Sequence, residues 1–197
     1  RQRQMCIRDR QIIEKVNIND ETSKQMLMYL NPIFADAVNV RGVANFNCDK
    51  LSIPLKGATR DDVVVAGTVG IEQMRLEASD LLGQIVSVTG GRGVDMTMEP
   101  TKFVLQKGIL HYDNMQIDIG DNPVNFAGDI RLNKSLNMNV TLPYRFGGRA
   151  VRTGEKAADR ITLPIEGTLD KPKINIPKLL ETEAVKQGLK LLEKVLK

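Results

Sequence analysis

Alternation of apolar and polar residues dominates the chain. Val38, Val40, Gly42, Ala44 and Phe46 share one parity, and Leu51, Ile53 and Leu55 resume the pattern after a break at Asp49-Lys50. Val63, Val65, Gly67, Val69 and Ile71 repeat it, as do Val124, Phe126, Gly128, Ile130 and Leu132. Leu136, Met138, Val140 and Leu142 follow a short link at Asn133-Lys134-Ser135, with polar Asn137, Asn139 and Thr141 between them. Ile161, Leu163, Ile165 and Leu169 close the series. Period two places one apolar and one wet face on each segment, which predicts half-buried antiparallel strands. Between 101 and 119, a turn at Lys107-Gly108 is followed by a parity slip at Asp113-Asn114, as a bulge or tight turn produces.

Three stretches have helical spacing instead. In 22–37, Met26, Leu27, Leu30, Ile33, Phe34 and Ala37 fall on one face, and Pro32 predicts a kink or restart. Residues 79–88 predict a short helix with Leu81, Leu82, Ile85 and Val86 inward. Residues 178–197 set a Leu180, Val185, Leu189, Leu192 and Leu196 stripe against Lys186, Lys190 and Lys194. This last helix reads either as a cap over the sheet or as an interfacial helix on anionic lipid. The predicted fold is mainly β with flanking helices: a strongly curved antiparallel meander forming a trough or open, barrel-like half-pipe. Its β domain spans 11–176 and its capping helix 177–197.

A glycine with apolar residues two positions away on both sides occurs four times, at Gly42, Gly67, Gly128 and Gly167. Glycine weakens a strand, so these positions mark either strong bending or the floor of a groove.

Charge changes the picture only at the start. Met5-Cys6-Ile7-Arg8-Asp9-Arg10 resembles a translated adapter from DNA sequencing libraries, and residues 1–10 are set apart from the fold on that ground. Four of the 28 basic and one of the 24 acidic residues lie there, so the remainder carries a net charge near +1. The basic pI therefore gives no reason to expect nucleic acid. Beyond Cys6 only Cys48 remains, which excludes an internal disulfide in that part. No apolar run reaches the roughly 18 residues of a membrane span.

Few residues suggest chemistry. His111 is the single histidine and reads as a surface residue beside Tyr112. No metal-ligand spacing, nucleophile elbow or Ser/His/Asp set is present. Gly90-Gly91-Arg92-Gly93 follows a helix instead of opening one, so it reads as a helix-ending turn. Asp118 and Asp121 around Gly120 lack the ligand spacing of a calcium loop. The expectation is a protein with no enzymatic activity, catalytic residue, cofactor or metal.

Phe103–Tyr144, with its Gly-turn and "GILHYDNMQI" and "SLNMNVTLP" strands, and Ile161–Ile176, "ITLPIEGTLDKPKINI", resemble the C-terminal region of AsmA/TamB-like envelope proteins. The helix and strands before them, "ADAVNVRGVANFNCDKLSIPL" and "AGTVGIEQMRLE", resemble the preceding unit of large AsmA-like proteins. Asn137 departs from the Asp the family often carries. The resemblance implies a fragment of a longer chain, anchored by an N-terminal segment in the inner membrane and extending through the periplasm. It also implies an apolar trough carrying phospholipid for outer-membrane maintenance, with membrane or envelope proteins and the rest of the same chain as partners. Lipid-facing candidates are Val65, Val69, Ile71, Ile117, Ile119, Phe126, Ile130, Leu132, Met138, Val140, Leu142 and Ile165, with Gly42, Gly67, Gly128 and Gly167 permitting curvature. The rival expectation is a structural or partner-docking β domain whose core is closed by its helices. A carbohydrate-binding sandwich is disfavoured by the absence of Trp.

Overall fold

The computed structural model describes residues 4–18, 27–35, 37–54, 59–77, 80–89, 95–120, 122–143, 145–146, 149–150 and 160–174. The helix expected at 178–197, the Gly90–Gly93 turn, Asp121 and the first turns of the 22–37 segment lie outside them.

Nine strands form one antiparallel sheet in the order β1(Gln4–Ile18), β2(Val38–Pro54), β3(Val64–Glu77), β4(Asp95–Gln106), β5(Ile109–Ile119), β6(Asn122–Arg131), β7(Leu136–Pro143), β10(Arg160–Thr168) and β11(Lys171–Ile174). β8(Arg145–Phe146) and β9(Arg149–Ala150) make a separate small ribbon. Each strand of the sheet pairs with the next in this order and the two ends do not meet, so the sheet is an unclosed meander. Short turns explain the order. Lys107 and Gly108 both take positive φ between β4 and β5, and Lys134 does so between β6 and β7.

Extra residues repeatedly break the ladder. Register shifts fall at Cys48/Lys50 on β2, where alternation breaks in the sequence, and between Tyr112 and Met115 on β5. Bulges of this kind raise local twist and bend the sheet. On β4, Met98 pairs with Ile71 while Thr101 pairs with Val69, so three steps on β4 match two on β3. The β4 and β5 slips lie side by side, and the two strands keep one mutual register on either side, Met98 with Ile117 and Val104 with His111.

The segment expected as a helix over 22–37 that kinks or restarts at Pro32 is, in its described part, helical at 27–30 and restarts as a 3-10 turn at Pro32–Phe34. Asn31 separates them. Its side-chain oxygen accepts from the Ile33 N–H at 2.9 Å, and proline supplies the fixed φ that starts the new turn. Helix α1(Asp80–Thr89) matches the predicted short helix, with Leu81, Leu82 and Ile85 buried.

Two points concern the first strands of the sheet. Residues 4–10, set apart in the sequence, lie within β1 and pair with β2 from Gln4–Pro54 to Arg10–Cys48. A free strand edge offers a row of unpaired amides and carbonyls to any extended segment, whatever its sequence. Ile53, expected on the apolar face, is exposed because β3 begins at Val64 opposite Ser52, leaving residue 53 no neighbour there.

Candidate functional site

Register converts the alternating strands into apolar rungs that run across the sheet. Residues paired across antiparallel strands share a face and pack against each other. Met115, Phe126, Val140 and Leu163 form one rung, and Tyr112, Gly128, Met138, Ile165 and Ile174 form another. Ala44, Ile71, Met98, Ile117 and Val124 form a third. Val65, Leu105, Leu110, Ile130 and Leu136 make the last rung, at the end carrying the β4–β5 and β6–β7 turns.

The lipid-facing candidates divide by position. Val69, Ile71, Ile117, Ile119, Phe126, Ile130, Met138, Val140, Leu142 and Ile165 are buried, whereas Val65 and Leu132 are half-buried. Leu132 was expected to extend the β6 apolar set. It lies instead just past the strand end, in the turn, where its N–H donates to the Gly108 carbonyl at 2.9 Å.

What covers the rungs is the chain itself. Ile33 and Phe34 from the 3-10 turn and Leu81, Leu82 and Ile85 from α1 belong to the same buried cluster as the rung residues. Asn31 Nδ2 donates to Met115 Sδ at 3.1 Å, which ties that segment to the β5 face. On α1, the Gln84 side-chain oxygen accepts from the Ile174 N–H at 2.8 Å. The cover thins toward the hairpin end, where Val65, Leu105, Leu110 and Leu136 are all half-buried.

The central glycines serve backbone contact and bending. A Cβ on Gly67 would strike the Asn47 carbonyl, and one on Gly128 the Asn137 carbonyl. Gly128 also has φ +126°, and Gly167 has φ +93° with Lys171 alongside. At Gly42 the nearest atom, Ile71 Cγ2, would lie 3.0 Å from such a Cβ. Strands here are pressed together rather than parted by open space, which favours bending over a groove floor. Two of these glycines pair with an aromatic across the ladder, Gly67 with Phe103 and Gly128 with Tyr112. A ring lying beside a glycine covers the surface a missing side chain leaves bare. The Phe46, Phe103 and Tyr112 rings follow one another at centroid spacings of 5.6 and 6.5 Å.

Tyr112 is fully buried, and its hydroxyl has no hydrogen-bond partner. Burial pushes its pKa far above the ordinary phenol value, so the ring stays neutral. Cys48, Met74, Met96 and Thr101 are further buried residues that the sequence reading did not place on this face.

Polar groups lie elsewhere. A groove of about 330 Å³ opens at the β3–β4 slip, lined mainly by Asn45, Asn47, Thr68, Glu72, Thr97 and Glu99. Ile71 is the sole lipid-facing candidate among its lining residues. His111, expected at the surface, is about half exposed, with Nδ1 2.6 Å from Asp129 Oδ1 and Nε2 3.1 Å from Asp113 Oδ1. Among the described residues, no three His, Cys, Asp or Glu side chains converge to hold a metal ion. Among them, too, no helix is long and apolar enough to cross a membrane.

These features define an unclosed antiparallel β meander whose apolar face packs against helical turns on its β5, β7 and β11 side and is half-buried at the hairpin end. No family model, curated protein or solved structure matches the chain.

Proposed function

We propose that the chain is a non-enzymatic segment of an AsmA-like envelope protein that shields phospholipid acyl chains against its apolar β face, in the periplasm of a two-membrane bacterium. The observation that carries this reading is the rung at the hairpin end, where Val65, Leu105, Leu110 and Leu136 are half-buried around a buried Ile130. Acyl chains laid along such a rung gain roughly 0.8 kcal/mol per buried CH₂. The headgroup stays in water, so no charged pocket is needed. On this reading, Ile33, Phe34 and Ile85, which pack into the same buried cluster as the rung residues, would stand where lipid lies elsewhere along the trough.

Photo-crosslinking tests this reading. A photoreactive residue at Leu110 or Leu136 should capture phospholipid when the purified chain meets phosphatidylethanolamine vesicles, and one at Val140 should not. Solvent-extracted protein free of phospholipid, with no adduct at either end position, would overturn it.

The depth of burial favours a second reading, a structural or partner-docking β domain with a closed core and no ligand. It predicts the empty result in the same experiment.

A further inference from the structure

We propose that His111, carrying a proton on both ring nitrogens, is a proton-operated latch that pins the β5 bulge to β6. Each ring nitrogen faces a carboxylate oxygen, Nδ1 toward Asp129 at 2.6 Å and Nε2 toward Asp113 at 3.1 Å. An ionised carboxylate only accepts hydrogen bonds, so both nitrogens must donate, and only imidazolium has two N–H groups. A neutral ring would set a lone pair against one carboxylate and lose that bond.

The position makes this more than a surface ion pair. Asp113 and Asn114 are the two outward residues at the β5 slip, between inward Tyr112 and Met115. Asp113 is held by His111, and Asn114 accepts from Asn125 Nδ2 on β6 at 2.8 Å. His111 itself pairs with Asp129 across the β5–β6 ladder. The bulge therefore has two side-chain ties, one of which needs a proton. Releasing it frees the segment that sets Tyr112 against Gly128 on the apolar face.

The other charged groups nearby are Lys102, two residues along β4 from Val104, the direct partner of His111, and Arg131, two residues along β6 from Asp129. Both oppose protonation, while both carboxylates touch the ring. The hydrogen bonds to Asp129 and then Asp113 hold the His111 pKa above its ordinary value. A raised folded-state value means the latch is closed below the ordinary histidine pKa of about 6.5. It opens as pH rises through the higher folded value.

A single histidine in the sequence makes the test unambiguous. NMR of the intact chain from pH 5 to 9 should show both ring nitrogens protonated at pH 6.5 and a midpoint above 6.5. The side-chain amide signals of Asn125 should move with the same midpoint. Asp129→Asn should lower the midpoint, and Asp113→Asn should lower it less. A midpoint at or below 6.5, or Asn125 signals indifferent to it, would overturn the proposal without any variant having to fold.

Discussion

The unpartnered hydroxyl of Tyr112 offers a direct measure of how dry the apolar face is. Tyr112→Phe removes one oxygen and leaves the ring beside Gly128 and near Phe103. Burying a hydroxyl without a partner costs about 1–3 kcal/mol by protein mutational measures, and the unfolded chain returns that group to water. Some of this cost is offset by contacts the oxygen makes in place. The variant should therefore gain about 1–2 kcal/mol in unfolding free energy. In a chain of this length that raises the melting temperature by roughly 2–8 °C. Urea titration monitored by circular dichroism, with an unchanged m-value, reads the difference directly. A loss of stability would refute the reasoning, because it would mean that the oxygen has an acceptor. Repeating the titration on solvent-extracted protein would then show whether that acceptor came from a copurified molecule.

The two glycines at 128 and 83 should respond oppositely to alanine. Gly128→Ala places a methyl on the Asn137 carbonyl at φ +126° and should cost about 3 kcal/mol or more, while Gly83→Ala, with open space around it on α1, should gain about 0.5–1 kcal/mol by denaturant titration. Ile117→Ala, at a fully buried position, should lose about 2–5 kcal/mol, and Leu110→Ala distinctly less, since its site is half open. Gln84→Ala should lose about 1 kcal/mol and speed hydrogen exchange at the Ile174 amide, measurable by mass spectrometry of the β10–β11 peptide.

Strands were legible in the sequence wherever their faces differ. β6, β7 and β10 alternate cleanly, and the slip at Asp113-Asn114 could be read because Tyr112 and Met115 are both apolar. The matching slip on β4 was equally present, in the switch from Met96 and Met98 to Thr101, Phe103 and Leu105 across Pro100. It was missed because an inward Thr interrupts the apolar count. Where the helical turns dock was not legible at all. Amphipathic spacing at Leu81, Leu82 and Ile85 says that a face is buried, but not against what, and only the folded chain sets it over the rungs. The same limit hid the Asp113 and Asp129 contacts of His111. A His-x-Asp pair on one strand face is visible in the sequence, yet Asp129 arrives through register alone.

Helix α1 also stands against the last described strand of the sheet. With the Gln84 oxygen already seated on the Ile174 amide, a strand arriving beside β11 finds a donor spoken for and a helix in its path. The long β1 flank has no such guard among the described residues. Among the described residues, the two flanks of this β surface thus differ in what a neighbouring strand would meet.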